Sequence, residues 1–566
     1  MISWIEAGLV LVALVLAFTF PHLGSRWFDA AERAMGTLAE RPRLAIVVVG
    51  LTALATRAAL LAILPIPEPK SHDEFSYLLA ADTFAHGRLT NPTHPLWIHF
   101  ETFHELWHPT YASMFPPGQG LFLAFGQVVM GHPFWGVWLS VGLMCAAICW
   151  MLQGWLPLKW ALLGGLLAVI RLAPFSYWAN SYWGGAVAAT GGALAFGALP
   201  RLKQSLRTLD ALLLALGLTI LANTRPYEGL IFSLPVVAAL LVWTTGKNRP
   251  AFGASLRCLF LPAGLVLGVA AVLMGYYFWR VTGSPWRMPH QVYHDAYIAA
   301  PYFFGQARRS VPTYDHAVMR NYYLAFELPA WEQSRSLLGV ARLENTKITQ
   351  VWNFFLGPLF ASILLIAAAM QPYGFSWRHF NPETRFLLVA TGIGVAGCAM
   401  EVFFFPHYFA PGTCLIYFLV VSAMRYIRDW TWRQKPVGRA VTRAVPVICA
   451  VIVGVSAATF PKVLPSQACP ELGNCIENPT LSRGRLLQRL EHEPGQHLVI
   501  VRYSPQHWPH SEWVYNAADI DGSKVVWARD MAPEQNAELI KYFHGRRIWL
   551  VEPDLTPPRL SPYHDE

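Results

Sequence analysis

Charge is scarce in this chain: 14% of its 566 residues are Asp, Glu, Lys or Arg, against 54% hydrophobic. So low a charge density, with 14% aromatic residues, excludes intrinsic disorder. Cysteine is scarce too, and eight scattered Cys build neither a disulfide scaffold nor an iron–sulfur cluster. The first segment lacks the basic start and small-residue cleavage site of a secretory signal, so no cleavable leader is expected. What the chain does have is a series of uncharged apolar runs of 17 to 24 residues, more than a soluble protein needs. The reading is a polytopic α-helical membrane protein whose surroundings are the lipid bilayer. A formal net charge of +9 raises nucleic acid as a partner, but in a membrane protein the placement of basic residues matters more than their sum, so none is expected.

Twelve spans are predicted, near 4–21, 44–64, 133–152, 161–178, 184–200, 209–223, 227–244, 257–279, 351–370, 386–402, 406–424 and 443–460. The stretch 118–130 reads as an interfacial helix or a thirteenth, partial span. Basic residues concentrate in alternate short loops: Arg26, Arg33, Arg41 and Arg43; Arg201, Lys203 and Arg207; Lys247, Arg249 and Arg257; and Arg425, Arg428, Arg433, Lys435 and Arg439. By the positive-inside rule those loops face the cytoplasm. The two long loops, 65–132 and 280–350, then lie outside together with both termini. In 65–117 only Lys70 and Arg88 are basic.

Two domains are expected, a transmembrane unit over 1–460 and an extracytoplasmic α/β domain over 461–566. In the tail, helix-like patterns near 480–492 and 532–543 accompany strand-like runs at 497–503, 524–529 and 546–553. Cys469 and Cys475 would meet an oxidising compartment there, so a local disulfide and two unpaired thiols are both open.

Candidate chemistry gathers on the outer side. Asp73 and Glu74 follow the second span within ten residues, at a depth where acids are costly unless hydrated, paired or metal-bound. The segment FSYLLAADTFAHG after them has helical spacing and would hold the pair at a helix N-terminus, the end that favours carboxylates. The same loop carries His72, His86, His94, His99, His104 and His108 with Glu101 and Glu105. Imidazole and carboxylate suit several divalent ions, but no established metal signature is present, and hydrogen-bonding loop histidines explain them without an ion. In NTRPYEG at 223–229, Arg225 and Glu228 form either a structural ion pair or a phosphate-binding fork. His407 and Tyr408 occupy another outer turn, where Tyr408 is explained as a membrane anchor and His407 as a phosphate contact or a structural residue. FSYWANSYWGG brings Tyr182 and Trp183 to a span boundary, and the later loop offers Arg287, His290 and His294 among aromatics, as a sugar surface or a packed loop would.

The acidic pair in HDEFSYLLAADTFAHG, the FPPGQGLFLAFG segment at 115–126 and LANTRPYEGL at 221–230 resemble the GT-C superfamily of membrane glycosyltransferases, in particular the protein mannosyltransferase and aminoarabinose-transferase branch. The likeness covers roughly 60–430 in organisation and a few dozen residues in detail. It implies a GT-C-like fold in a bacterial inner membrane, with a cavity open to the periplasm or cell exterior. It also implies inverting transfer of a sugar from a polyprenyl-phosphate carrier to an envelope lipid, glycan or protein. Carried onto this sequence, Asp73 becomes the general base or acceptor-orienting group, with Glu74 assisting or sharing a divalent ion such as Mg²⁺ or Mn²⁺ with the donor phosphate. Arg225, Glu228, Arg287, His290, His294, His407 and Tyr408 become donor phosphate or sugar contacts. His72, His104, His108, Tyr182 and Trp183 become acceptor or loop contacts. The extra span before the acidic loop and the soluble tail depart from the compared branch. The alternatives are a transporter or flippase of lipid-linked intermediates and a non-catalytic envelope assembly protein.

Overall fold

A computed structural model describes residues 2–247, 249–370, 377, 380–459 and 483–563. Cys469 and Cys475 lie outside the described residues. The chain is a multi-pass helical membrane protein, with eight helices among the described residues long and apolar enough to cross a bilayer. Each of the twelve predicted spans coincides with a helix, but Leu158–Leu172 and Thr208–Ala222 are too short, and Gly185–Ser205 and Pro382–Ala399 too weakly apolar, to count among those eight. The predicted 161–178 helix stops at Leu172, and the next begins at Gly185. Between them 173–184 runs as turns in which Pro174 interrupts the helix and the side chains of Ser176, Asn180 and Ser181 bond to backbone carbonyls. The helix Pro117–Met130 packs on the helix His72–Ala85 and on Phe134–Trp155.

Small residues set the close crossings. Gly136 meets the helix Pro117–Met130 so tightly that an added Cβ would lie 1.9 Å from the Phe122 carbonyl oxygen. Such small-residue contacts let membrane helices approach where apolar burial alone gives no driving force. At one end of the bundle Arg443 pairs with Glu32 at 2.9 Å and also with Asp29, while Arg428 pairs with Glu32 at 2.7 Å. These ties fasten the amphipathic helix Ser25–Ala39, which occupies the predicted cytoplasmic loop.

The tail folds as an α/β unit. Strands β3 (His497–Val501), β4 (Val525–Arg529), β5 (Arg547–Glu552) and β6 (Arg559–Pro562) form a sheet in the order β4-β3-β5-β6. β3 runs parallel to β4 and β5, and β6 returns antiparallel beside β5. The strand period of two divides the faces. Val499, Val501 and Trp527 pack with Leu486 and Leu490 of the helix Arg483–His492. Leu498, Ile500 and Val526 face the other way and share one core with Leu79, Phe100, Trp107 and Tyr111 of the first long loop. That loop also folds a two-stranded hairpin, β1 (Glu105–Leu106) with β2 (Ala112–Ser113).

The tail is therefore seated on the loop, and polar contacts fix the register. Ala518 N donates to Asp82 Oδ2 at 2.8 Å, and Tyr111 donates its hydroxyl to the Asn516 carbonyl at 3.2 Å. Buried Arg529 binds Glu512 at 2.7 Å and donates to the Glu101 carbonyl at 2.8 Å. Removing one partner of a buried ion pair strands the other, so Arg529→Met is expected to cost about 3–5 kcal/mol. Denaturant unfolding and limited proteolysis of the tail measure it, and unchanged stability would exclude Arg529 as the docking pin.

Candidate functional site

The first turn of the helix His72–Ala85 is fixed before any packing is considered. Ser71 is its N-cap: the Ser71 hydroxyl accepts from Glu74 N at 3.5 Å, and Glu74 Oε2 accepts from Ser71 N at 3.1 Å, which is a capping box. Glu74 Oε2 also accepts from Lys70 N at 2.9 Å, and Oε1 accepts from Tyr182 N at 3.0 Å. Trp183 donates its indole N–H to the Ser71 hydroxyl at 2.7 Å. Both oxygens of Glu74 are thus engaged in holding the helix start to the 173–184 turn. Burial pushes the Glu74 carboxyl up from its ordinary range, against the lowering effect of these N–H groups.

Asp73, one residue earlier, has different partners, although both acids border the same cavity, of about 710 Å³. Its Oδ1 lies 3.4 Å from His104 Nδ1. His104 sits at φ 61°, a left-handed conformation uncommon for a residue with a side chain. Three hydrogen bonds hold its backbone there: its N–H donates to the Tyr293 hydroxyl at 2.7 Å, and its carbonyl accepts from Ser76 Oγ at 2.6 Å and from Met114 N at 3.1 Å.

Arg225 reaches the same cavity from the N-cap of the helix Pro226–Thr245. Its Nη1 stands 3.6 Å from Glu228 Oε1, and its guanidinium carbon 4.5 Å from the centre of the Tyr408 ring. Burial works against its charge, but Tyr77, Glu228, Tyr408 and Asp73 around it raise its pKa above the ordinary arginine value. The turn carrying Arg225 is placed by the 115–126 segment, where Gly118 N donates to the Asn223 carbonyl at 2.7 Å. Only glycine fits there, since a Cβ on Gly118 would stand 2.6 Å from that oxygen.

His72, Trp183, Glu228, His290, His407 and Tyr408 also line the cavity. Burial drives His407 well below the ordinary histidine range, with Arg225 adding to the effect, and the Tyr177 hydroxyl pairs with His407 Nδ1 at 2.9 Å. Burial takes His290 down to about 4. Both are neutral at pH 7, able to share hydrogen bonds but not to bring charge. The remaining predicted residues lie away from the cavity wall. Arg287 pairs with Asp295 at 2.7 Å on an exposed surface, and His294 contacts Arg309. His108 packs against Trp97, and Tyr182 donates its hydroxyl to the Pro67 carbonyl at 2.8 Å.

Other cavity residues, Lys347, Glu327 and Glu401, were missed in the sequence, where Glu327 and Glu401 each stand as an isolated charge. Lys347 lies on the helix Leu337–Val351, in the polar stretch RLENTKITQ, and reads there as a helix-surface charge. It is buried, pairs with Glu344 at 2.7 Å and donates to the Ala399 carbonyl at 3.1 Å. Glu327 lies on a π-helical turn, Tyr322–Glu327, and its Oε2 is enclosed without a hydrogen-bond partner. Glu401 Oε2 is enclosed in the same way.

Asp73 and Glu74 do not present both carboxylates to one ion, since Glu74 is occupied by backbone N–H groups. Among the described residues no three His, Cys, Asp or Glu side chains converge as ligands. The donor set of the pair does not fit the Mg²⁺ or Mn²⁺ site considered for it.

No family model matches the chain, and no curated protein matches it in sequence. Among solved structures, ArnT from Cupriavidus metallidurans bound to undecaprenyl phosphate is similar at 15% identity, over 90% of this chain and 92% of that one, with a TM-score of 0.46. The Archaeoglobus fulgidus oligosaccharyltransferase tethered with an acceptor peptide containing the NVT sequon is similar at 9% identity, over 90% and 68%, with a TM-score of 0.43. The same oligosaccharyltransferase in complex with Zn and sulfate gives 11% identity, 90% and 67%, and a TM-score of 0.41. Likeness at this level carries no chemistry to this chain.

Glu327 gives the cavity a measurable pH signature. Burial raises its carboxyl from 4.5 to about 7, against the lowering influence of His104 and of a hydrogen bond from Tyr322. The folded protein therefore binds this proton more tightly than the unfolded chain. The stability it contributes is complete below about pH 4.5 and is lost as pH rises through about 7, a span of about 3 kcal/mol. Glu327→Gln is expected to remove that decline, so that the variant exceeds wild type in thermal stability at pH 8 but not at pH 4. Parallel unfolding temperatures for the two proteins across that range would exclude the buried proton.

Proposed function

We propose that the chain is an inverting glycosyltransferase that moves a sugar from a polyprenyl-phosphate carrier to an envelope acceptor at the outer face of a bacterial inner membrane. One observation carries the reading: a single large cavity at the ends of apolar helices holds the Asp73 carboxylate within electrostatic reach of the Arg225 guanidinium. The pairing supplies what displacement at an anomeric carbon requires, a proton acceptor for the incoming hydroxyl and a fixed cation for the departing phosphate.

In the step itself the acceptor oxygen attacks the anomeric carbon as the bond from that carbon to the carrier phosphate breaks. The phosphate leaves with the electron pair, and Asp73 takes the hydroxyl proton. A single displacement inverts the anomeric centre, and no covalent enzyme intermediate forms. Arg225 stabilises the charge growing on the phosphate. Its guanidinium is already held by Tyr408 and Glu228, so little reorganisation accompanies the reaction. His104 orients Asp73, and His290 and His407 supply neutral hydrogen-bonding groups on the wall. Glu74 enters only through the helix start it secures. The outward orientation is supported by the crowding of basic residues in the loops at the other end of the bundle.

Transfer of radiolabelled sugar from undecaprenyl-phosphate-linked donors into membranes tests the assignment. Asp73→Asn is expected to lower the rate by about 10²–10⁴-fold at unchanged thermal stability. Arg225→Met is expected to lower it by about 10²–10³-fold. Wild-type rates in Asp73→Asn membranes would remove Asp73 from the chemistry.

A further inference from the structure

The tail domain contributes a side chain to the cavity. His510 lies in the loop that leaves the C-terminal end of β3, and it lines the same space as Asp73 and Arg225. In open sheets of parallel strands, the loops at that end are where ligands are met. This loop is braced on both sides: Ser504 N donates to Asp554 Oδ2 at 2.7 Å, Trp513 N donates to the Tyr503 hydroxyl at 2.8 Å, and His72 Nε2 pairs with the Pro509 carbonyl at 3.1 Å. Its geometry is set before any ligand arrives.

The His510 ring stacks on His72 with centroids 5.1 Å apart and planes 7° from parallel, and it meets Phe326 edge-on at 4.8 Å. No described residue hydrogen-bonds to the ring, and Nε2 is enclosed without a partner. Burial lowers its pKa to about 4, while Asp73 lies close enough to oppose that shift. At neutral pH the imidazole therefore offers one donor and one acceptor and no charge, the pair of functions a hydroxyl needs. Beside it, 5.1 Å between ring centres, stands Trp508, half exposed and edge-on to Phe326. Indole and phenyl faces with a neutral hydrogen-bonding group suit a sugar ring, with its apolar C–H face and hydroxyl rim.

We propose that Trp508 and His510 form the acceptor subsite, and that the acceptor is a glycan presenting a sugar hydroxyl to Asp73. This rests on the glycosyl-transfer reading above. Direction of approach assigns the subsite to the acceptor rather than the donor. A lipid-anchored donor brings its phosphate to Arg225 at the start of a membrane-spanning helix, whereas His510 descends from the tail domain to the side of Asp73, which the acceptor hydroxyl must reach.

The test uses the purified full chain in proteoliposomes, undecaprenyl phosphate carrying a radiolabelled hexose or pentose as donor, and membranes from cells lacking the chain as acceptor. His510→Phe keeps the ring stack and loses both nitrogens. It is expected to raise the acceptor-membrane concentration at half-saturation about tenfold, the scale of one lost hydrogen bond, with donor half-saturation within about twofold. His510→Gln is expected to recover most of that loss. Trp508→Ala, at a half-exposed site where folding is safe, is expected to act in the same direction. Mild hydrolysis of the product should release label in an oligosaccharide. Label on a serine or threonine would overturn the glycan assignment, as would acceptor saturation unmoved in both His510→Phe and Trp508→Ala while transfer proceeds. A wild-type protein that transfers no sugar from any donor would instead overturn the glycosyltransferase reading, and this inference with it.

Discussion

The buried carboxylate of Glu74 gathers three backbone N–H groups, two from the approach to one helix and one from a turn more than a hundred residues away. A desolvated carboxylate with unmet oxygens would be costly, and the same carboxylate with charge-assisted hydrogen bonds becomes a clamp. It ties the start of the helix His72–Ala85 to the 173–184 turn, and the position of Asp73 follows. Successive side chains on a helix diverge by about 100°, so two adjacent acids meet different partners. Both border the cavity, but the Glu74 oxygens are taken up by backbone N–H groups, whereas Asp73 faces His104. The chemical asymmetry of the pair is therefore a matter of helical geometry rather than of the acids themselves.

The cavity places Arg225 and Lys347 among the carboxyl groups of Asp73, Glu228, Glu327 and Glu401. Charges of like sign crowded around one cavity cannot all be ionised at once. Glu327 answers that constraint by keeping its proton into the neutral range, and burial with Glu228 nearby drives Glu401 the same way. The cations are secured differently, Arg225 by an aromatic face and a carboxylate, Lys347 by carbonyls at the end of a neighbouring helix. What results is a mainly apolar pocket with few free charges.

Much of the helical framework was readable in advance, since a span of about twenty apolar residues admits little but a helix in lipid. The tail's strands and helices were legible for the same reason, through period and turn residues, although the short antiparallel β6 carried too few residues to signal itself. The 161–178 span runs six residues too far into the 173–184 turn because the aromatic residues there mask the Ser and Asn that break the helix. Within the candidate site, acids and histidines next to spans stood out by cost alone. Their partition into cavity and scaffold did not, because Arg287, His294, His108 and Tyr182 resemble their cavity neighbours in type and differ only in where their segments pack.

The amino-acid sequence by itself determined that the protein lives in a membrane, that its chemistry-bearing residues crowd one set of loops, and that a small α/β unit ends the chain, because hydropathy, charge placement and residue period are local properties. Tertiary structure alone decided that Glu74 is a clamp, that Lys347 and Glu327 join Asp73 around one space, and that the tail reaches back with His510 to complete the wall. Those relations span separations of hundreds of residues, and no local pattern encodes a contact whose two halves are brought together only by packing.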